Sequence, residues 1–431
     1  MEVRPGYKQT DVGVVPEDWG TDTLLRVSRQ IMDYRGRTPK KLGMEWGGGE
    51  IPALSAGNVK KGFVDFSKEC YLGSEELYSR WMTRGDVAKD DIIFTTEAPL
   101  GNVALVPDDR RYILSQRTVL LQVDPDRASS RFLFQVMLSG GFQRMLADYS
   151  SGSTAKGIQR KTFEQLCVAL PPLPEQRAIA TALSDVDALL GGLDRLIAKK
   201  RDVKQAAMQQ LLTGKTRLPA FQGEWEPLNM AETSTLKARI GWQGLTTAEY
   251  LTTGKYYLVT GTDFAHGRVQ WSTCCFVSAE RYAQDRHIQL IPRDILLTKD
   301  GTIGKVGFVD SLPGPATLNS GVFVIRPKAG TYDPQFFYYV LTSHIFDDFL
   351  RRLKAGSTIS HLYQKDFVSF SFLAPAKVPE QTAIAAVLSD MDAELAALEA
   401  RREKTRNLKQ AMMQELLTGK TRLVPATAAH A

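Results

Sequence analysis

The chain has 431 residues, with 54 Lys and Arg against 48 Asp and Glu, and a formal net charge of +6. This length accommodates two to three domains, and the hydrophobic content of 43% is that of a globular protein. No apolar run is long enough to span a membrane, and the N-terminal residues lack a signal-peptide pattern. The four cysteines form no Cys-x-x-Cys motif, which predicts reduced thiols and a cytoplasmic protein. The positive charge permits a polyanionic partner without proving one.

Residues 1–172 form the first predicted domain. Short β-like runs, such as residues 91–95 and 118–123, alternate with Gly and Pro turns, and a helical stretch follows at residues 132–146. A group of prolines that ends at Pro174 then marks a boundary.

The next segment, residues 173–218, has the pattern of one long helix. Pro174 suits the first helical position, where no amide donor is needed, and Glu175 follows where the helix dipole favours an acid. Gly214 lies just past the last apolar pair and predicts the end of the helix. The apolar residues step by threes and fours and form a heptad seam: Ile179, Leu183, Val186, Leu190, Leu193 and Ile197.

Residues 219–377 repeat the plan of the first domain with little sequence identity. Residues 294–298 echo residues 91–95, and Trp225 stands where Trp19 stands in the first domain. Two domains that share a framework and differ in their loops indicate two versions of one task on two targets.

The first long helix is then repeated. At an offset of 205 residues, positions 174–218 align without a gap with positions 379–423, and 28 of 45 positions are identical. The longest shared block is Leu-Leu-Thr-Gly-Lys-Thr-Arg-Leu, which ends both copies. A helix of about 38 residues is roughly 57 Å long and cannot bury an apolar stripe alone. The copies therefore predict a coiled coil that acts as a spacer, and a long core hairpin in an ordinary fold is the alternative.

The sequence motifs of catalysis are missing. Gly-Lys-Thr near the end of each repeat looks like the end of a phosphate-binding loop, but glutamine replaces the earlier glycine and a helix precedes it. No Asn-Pro-Pro-aromatic motif of adenine methyltransferases occurs, and the five histidines are scattered. These absences predict a chain with no catalytic residue, no metal site and no cofactor of its own.

Basic and polar loop residues in both domains predict DNA binding instead. In the first domain, residues 35–41 and Lys60 combine cations with glycine and proline turns, which let cations and backbone amides approach phosphates. Residues 237–244 are the counterpart in the second domain. Arg and Lys can pair with guanine, and Asn and Gln with adenine. For any single residue, a solvated surface loop is at least an equally good interpretation. The predicted DNA-binding residues are Arg35, Arg37, Lys40, Lys41, Asn102, Gln116, Arg117, Arg239, Gln243, Lys299, Asp300, Thr302, Lys305 and Asn319.

With this layout, the chain resembles the specificity subunit of a type I restriction–modification system over nearly its whole length. Motifs in the right order and at duplicated spacing carry the resemblance: Pro-Glu-Gln at 174–176 and 379–381, Leu-Leu-Thr-Gly-Lys at 211–215 and 416–420, Tyr-Arg-Gly-Arg-Thr-Pro at 34–39, and Lys-Asp-Gly-Thr-Ile-Gly-Lys at 299–305. Residues 96–101 of the first domain depart from the pattern at 299–304.

The resemblance implies an α+β fold with two similar α/β target-recognition domains, residues 1–172 and 219–377. Two long helices, residues 173–218 and 378–423, would separate them and pack as an antiparallel coiled coil with a pseudo-twofold repeat. Residues 424–431 would form a flexible tail.

The same resemblance implies that each domain reads one half of a split site in double-stranded DNA. The helices would dock two methyltransferase subunits, and restriction or translocase subunits would join the larger assembly. S-adenosylmethionine, ATP and magnesium are expected on these partners, and none on this chain. The alternatives are a protein-only coiled-coil scaffold and an enzyme subunit with methyltransferase or nuclease activity.

If the helices set the gap between the two half-sites, adding four residues to both, near Arg195 and Ala400, should lengthen that gap. Four residues keep the seam nearly in phase and add about 6 Å of rise, or one to two base pairs at about 3.4 Å each. Some affinity should be lost, since the insertion also rotates the domains by about 40°. Mapping the methylated motif of the variant measures the gap, and an unchanged gap in an active variant would contradict the spacer role.

Overall fold

The computed structural model of the chain describes residues 4–150, 157–241, 244–355 and 361–424. All statements about structure below concern these residues.

The chain divides into two compact units. Unit 1 comprises residues 1–194 and 401–431, and unit 2 comprises residues 195–400. Each unit therefore combines one mixed domain of strands and short helices with one half of each long helix. The borders between the units fall within the long helices and not at the ends of the predicted segments.

Unit 1 contains short strands and short helices ahead of the first long helix. Its strands are β1 (Tyr7–Thr10), β2 (Gly13–Pro16), β3 (Gly20–Thr23), β4 (Ser28–Asp33), β5 (Ile51–Leu54), β6 (Leu72–Gly73), β7 (Ile92–Thr95), β8 (Val103–Leu105), β9 (Ile113–Leu114), β10 (Thr118–Val123) and β11 (Cys167–Leu170). Its helices are α1 (Glu75–Trp81), α2 (Ser130–Leu138), α3 (Gly140–Asp148), α4 (Arg160–Glu164) and the first part of α5 (Leu173–Leu211).

The centre of unit 1 is an antiparallel sheet in the order β4-β10-β7-β8. Side chains of a strand alternate between its two faces. Ile92 and Phe94 pack on one face in a cluster with Phe132 of α2, and Ile93 packs on the other face in a cluster with Leu54 of β5. Both faces are buried, which explains why β7 is a continuous apolar run.

Unit 2 contains the corresponding elements. Its strands are β12 (Trp225–Asn229), β13 (Ser234–Ala238), β14 (Tyr256–Val259), β15 (Phe264–Ala265), β16 (Arg268–Val269), β17 (Cys275–Val277), β18 (Ile295–Thr298), β19 (Val306–Phe308), β20 (Ala316–Leu318), β21 (Val322–Pro327) and β22 (Ser371–Pro375). Its helices are α6 (Met230–Thr233), α7 (Ala279–Ala283), α8 (Pro334–Leu341), α9 (His344–Ala355), α10 (Gln364–Phe367) and the first part of α11 (Val378–Leu416).

The strand order of unit 2 repeats that of unit 1. The order β13-β21-β18-β19 matches β4-β10-β7-β8, β17-β14-β20 matches β6-β5-β9, and β12-β22 matches β3-β11. Unit 2 adds β16 and β15 at the end of its large sheet. The predicted α+β fold with two similar domains is confirmed. The two domains can share this framework with little sequence identity, because the apolar pattern of the strands specifies it.

Within each unit, half of α5 runs antiparallel to half of α11. In unit 1, Asp187 pairs with Lys409 at 2.6 Å and Asp194 pairs with Arg402 at 3.2 Å, so numbers rise along one helix as they fall along the other. Unit 2 has the same arrangement, with the bases on α5: Lys200–Glu394, Arg201–Glu399 and Lys204–Asp392. The predicted antiparallel pairing of the two repeats is confirmed.

The predicted heptad seam follows the buried side of the long helices. Val186 and Leu190 are half-buried. The other seam residues of α5 are buried, and so are three residues of α11 at equivalent positions of the second repeat: Ile179, Leu183, Leu193, Ile197, Ile384, Leu388 and Leu395.

In unit 1, the start of α5 is bound to the end of the chain by a buried ion pair. The Glu175 carboxylate is only 1% exposed and accepts hydrogen bonds from Nε and Nη2 of Arg422 at 2.6 and 2.7 Å. Arg422 also donates to Asp18 at 2.7 and 2.9 Å, and Trp19 Nε1 donates to Glu175 at 3.3 Å. Hydrogen bonds from Arg422 hold the pKa of Asp18 below its usual value. We call Glu175, Arg422, Asp18 and Trp19 the unit 1 latch.

Unit 2 contains the equivalent latch. Glu380 is 2% exposed and accepts hydrogen bonds from Nε and Nη2 of Arg217 at 2.6 and 2.7 Å. The Arg217 guanidinium lies over the Trp225 ring, and its Nη1 donates to the Gly223 carbonyl at 2.7 Å. The C-terminal arginine of each repeat thus binds the first-turn glutamate of the other repeat. The helix dipole accounts for an acid at this position, but not for its burial.

The glutamine of each Pro-Glu-Gln motif joins its helix to the mixed domain. Gln176 Nε2 donates to the Pro171 carbonyl at 2.8 Å, and its Oε1 accepts from the Ser129 amide at 2.8 Å. Gln381 makes the same two hydrogen bonds in unit 2, with Pro375 and Asp333. An amide is required because one side chain must both donate and accept.

Gly214 and Gly419 each lie three residues beyond the end of a long helix, as helix-ending glycines do. Their φ angles are 69° and 68°, which a residue with a Cβ rarely adopts. A Cβ on Gly419 would lie 2.4 Å from Cγ of Pro16, and one on Gly214 would lie 3.1 Å from the Trp225 ring. These glycines let the chain approach the tryptophan of the latch.

Arg422→Ala should destabilise unit 1 by about 3–5 kcal/mol, because it leaves the buried Glu175 carboxylate without its cation. Arg406→Ala is the matched control, since it removes an exposed pair with Glu403 and should cost less than about 1 kcal/mol. Adding Glu175→Gln to Arg422→Ala should restore part of the loss by removing the unpaired charge. Urea unfolding followed by circular dichroism measures all three, and equal losses for Arg422→Ala and Arg406→Ala would contradict the latch.

Candidate nucleic-acid interface

The strand register of unit 1 brings three loops to one edge of the central sheet. Asp33 at the end of β4 pairs with Val119 of β10, and Thr95 at the end of β7 pairs with Thr118 at the start of β10. Strand β8 begins at Val103 beside the end of β7. The loops after β4, between β7 and β8, and before β10 therefore meet here, and we call this the loop edge of unit 1.

The small sheet of unit 1 adds a fourth loop to this edge. Strands β5 and β9 are parallel, so the segments that follow them leave in the same direction. The Ala56 amide donates to the Gln116 carbonyl at 3.4 Å, and Asn102 Nδ2 donates to the Val59 carbonyl at 2.8 Å. The loop after β5 thus borders both of the loops that Gln116 and Asn102 belong to.

Unit 2 has a loop edge of the same construction. Ala238 at the end of β13 pairs with Phe323 of β21, and Thr298 at the end of β18 pairs with Val322 at the start of β21. The loop after β14 joins through the Asn319 amide, which donates to the Val259 carbonyl of β14 at 2.9 Å. The structure therefore brings the predicted loops of each domain together within their own unit.

Arg35 and Arg37, two predicted DNA-binding residues, also have internal partners. Arg35 donates to both Asp33 carboxylate oxygens, with Nη2 at 2.7 Å from Oδ2. Burial alone would raise the pKa of Asp33, but the hydrogen bonds from Arg35 outweigh it and the pKa lies below its usual value. Arg37 donates to the Trp81 carbonyl at the end of α1 and to Thr83 Oγ1, the latter at 3.2 Å. Both guanidinium groups thus help to shape the loop that carries them.

Four other predicted residues are exposed on the loop edge of unit 1: Lys40, Lys41, Gln116 and Arg117. Lys41 Nζ donates to the Gly36 carbonyl at 2.6 Å, which closes the turn. Arg117 has a φ of 65° and lies 3.7 Å from the Glu97 carboxylate, with half of its side chain exposed. These residues can reach an external ligand without any change of fold.

Asn102 and Lys305 occupy the same position in the two units. The backbone amide of each residue donates to the hydroxyl of a threonine that ends a strand, Thr95 or Thr298, at 2.9 Å. Asn102 is 9% exposed and its side chain donates to Val59, whereas the half-buried Lys305 donates to the Gly261 carbonyl at 3.3 Å. Both side chains tie a hairpin of the large sheet, β7–β8 or β18–β19, to the loop that follows β5 or β14 of the small sheet.

The structure places Arg239 inside unit 2. Arg239 is 2% exposed, and its Nε donates to the Leu318 carbonyl at 2.9 Å while Nη2 donates to Thr317 Oγ1 at 3.3 Å. Burial lowers the pKa of Arg239 from its usual value. Gln243, which is also predicted to bind DNA, lies outside the described residues.

The remaining predicted residues line the loop edge of unit 2. Lys299 is half-buried, with its ammonium 5.4 Å from the centre of the Phe323 ring. Asp300 and Thr302 are exposed, and Asp300 contacts the ring nitrogen of His361. Asn319 is half-buried, and its Oδ1 accepts from the Ser320 amide at 2.7 Å.

The same edge carries a cluster that the sequence interpretation missed. His361 is one of the five scattered histidines to which the sequence pattern gives no role, yet it pairs with Asp300 across a β-bridge. Its ring centre lies 4.6 Å from that of Tyr363, which is 55% exposed, and the Lys365 ammonium lies 5.7 Å from the Tyr363 ring. The alternation of aromatic and basic residues at 361–365 was the available signal.

Two negative findings concern the described residues alone. They contain no cluster of His, Cys, Asp and Glu with the arrangement of a metal site. None of their helices combines the length and hydropathy that crossing a membrane requires. The four cysteines are free.

Comparison with known proteins places the chain in a family. The family model described as "Type I restriction modification DNA specificity domain" matches residues 16–198 and 247–406. The type I restriction enzyme MjaVIII specificity subunit of Methanocaldococcus jannaschii is 25% identical over 424 residues, which cover 95% of this chain and 94% of that protein.

Two solved structures share the fold. The type I restriction–modification S subunit from M. genitalium matches with a TM-score of 0.61 and 16% identity, over 96% of this chain and 98% of that one. A chain from a study of complex assembly and conformational transition of the type I R-M system matches with a TM-score of 0.56 and 19% identity, over 94% and 99% of the two chains.

The chain therefore belongs to the family of type I restriction–modification DNA specificity domains. It is a DNA-sequence specificity subunit with two recognition domains, and such subunits are non-catalytic. The two recognition domains are the mixed domains of units 1 and 2.

Arg239→Ala should lower the stability of unit 2 by roughly 2–3 kcal/mol, because it leaves the buried Leu318 carbonyl and Thr317 hydroxyl without their donor. Lys237→Ala, an exposed change on the same strand, is the matched control and should stay within about 0.5 kcal/mol of the parent. Thermal unfolding measures both. If Arg239→Ala kept its stability and lost only DNA affinity, the guanidinium would be a DNA contact rather than an internal support.

Proposed function

We propose that the chain reads a split site in double-stranded DNA, with the loop edge of each unit reading one half-site. The observation that supports this proposal is the duplicated loop edge. The two units share strand order and register, while the residues exposed on the two edges differ. One framework with two sets of loop side chains suits two different short sequences.

The residues of the two loop edges that are available to DNA divide by chemistry into two groups. Lys40, Lys41 and Arg117 suit phosphate oxygens, because cations on turns can approach the backbone without reading sequence. The polar residues Gln116, Lys299, Thr302 and Asn319 suit base edges. In this proposal Asn102 and Arg239 hold the loops in place, and Asp300 together with His361 shapes the second edge.

The long helices supply the docking surface for partners in this proposal. Two methyltransferase subunits would bind the repeated helices, one for each copy of the repeat, and restriction or translocase subunits would join the larger assembly. S-adenosylmethionine, ATP and magnesium would be held by these partners and not by this chain. The assembly would act in the cytoplasm, on double-stranded DNA and not at a membrane.

Substitutions on one loop edge should change the reading of one half-site only. Lys299→Ala with Asn319→Ala should relax base preference in one half-site and leave the other unchanged. Lys40→Ala with Lys41→Ala should weaken binding to all sequences and lower the salt slope by about one unit for each phosphate that is no longer neutralised. Methylation of a randomised DNA library by the chain assembled with its methyltransferase subunits, followed by sequencing, measures both half-sites.

The control is the purified chain with S-adenosylmethionine and no methyltransferase subunit, which should not methylate DNA. Relaxed preference in both half-sites after a change on one edge would contradict the assignment of one edge to one half-site. A continuous methylated motif without an unread gap would contradict the split site itself.

A further inference from the structure

A hairpin in unit 1 presents an aromatic side chain beside the loop edge. Val59 and Val64 form a β-bridge, and the Lys60 amide donates to the Phe63 carbonyl at 2.9 Å. The φ of 99° at Gly62 completes the tight turn. We call residues 59–64 the Phe63 hairpin.

The hairpin is fixed at its base and at its tip. Val59 is fully buried, and its carbonyl accepts the hydrogen bond from Asn102 at 2.8 Å. At the tip, the Gly62 amide donates to the carbonyl of Val103, the first residue of β8, at 2.8 Å. The tip is therefore attached to the start of β8, which lies at the loop edge of unit 1.

The side chains of this tip combine one exposed ring with one exposed cation and one half-buried cation. Phe63 is 57% exposed, although a phenyl ring normally gains stability by burial. Lys60 is half-buried, with its ammonium on the Gly57 carbonyl at 2.7 Å, and Lys61 is exposed. Proteins that open a DNA base step insert an apolar side chain between the bases, while neighbouring lysines contact the phosphates on either side. The side chains of this tip have the same combination.

The corresponding hairpin of unit 2 lacks this combination. Its strands are β15 and β16, and the tip between them contains His266 and Gly267. Phe264 is 4% exposed, and Arg268 pairs with Asp310 at 2.8 Å. No large apolar side chain is exposed on this tip in the part of the chain that the structure describes.

We propose that Phe63 inserts beside a base of the half-site read by unit 1 and opens that base step, while Lys61 contacts the adjoining backbone. This inference rests on the proposed function, and it predicts that the deformation occurs in one half-site only. A partner protein is a weaker candidate for this tip, because two lysines adjoin the ring and the tip is attached to the edge that meets DNA.

The test uses the full chain assembled with its methyltransferase subunits and duplexes that carry the methylated motif of the host genome. The fluorescent base 2-aminopurine replaces one base at a time in each half-site, because its emission rises when stacking is lost. Methyltransferase subunits unstack their own target base in both half-sites. The informative signal is therefore the part of the rise that Phe63→Ala removes.

Phe63→Ala should abolish the rise at one step of one half-site and weaken binding roughly 5- to 150-fold, the range for loss of one base–aromatic stack. Phe63→Trp should preserve both. Lys61→Ala should keep the rise and lower the salt slope by about one unit. Phe66→Ala is the matched control: Phe66 is also exposed but lies against Tyr112, before the start of β9 and away from the loop edge.

Unchanged fluorescence and affinity for Phe63→Ala, with the split site still bound, would overturn this inference alone. Weaker assembly with the methyltransferase subunits, together with unchanged DNA stacking, would also overturn it in favour of a protein contact. If the assembly bound no split site at all, the proposed function would fail instead.

Discussion

A buried carboxylate that is bound to an arginine of the other repeat is the interaction on which each unit depends. Glu175 and Glu380 are almost fully buried, and an unpaired charge in that position would cost several kcal/mol. Arg422 follows Glu175 by 247 residues, so unit 1 joins the first and last parts of the chain. The buried carboxylate of unit 1 therefore takes its cation from the second repeat, although the mixed domain of unit 1 lies entirely before the first repeat begins.

The charges of the long helices agree with this latch. The first half of each repeat carries the acids of the interhelical pairs, such as Asp187 and Asp392, and the second half carries bases such as Lys204 and Lys409. Antiparallel pairing places acid against base in both units, whereas parallel pairing would place like charges together. Exposed pairs are individually weak, but as a set they favour one orientation over the other.

The loop edges show how one framework can carry two sets of contacts. Thr95 and Thr298 end equivalent strands, and each hydroxyl accepts a backbone amide at 2.9 Å. The donor is a backbone amide, so this bond fixes the backbone of the hairpin whichever side chain the donor residue carries, Asn102 in one unit and Lys305 in the other. Specificity can therefore change through loop side chains without cost to the sheet.

The sequence by itself determined the repeated helices, their seam, the two-domain plan and the loops that form each edge, because periodicity, turn residues and an internal repeat are local features. Only the tertiary structure decided which loop side chains are available for DNA. Arg239 and Asn102 are internal because Leu318 and Val59 lie against them, and neither partner is near in sequence. Burial and pairing depend on residues that are distant in sequence. The role of Glu175 could not be predicted for the same reason, because its partner Arg422 meets it only in the folded structure.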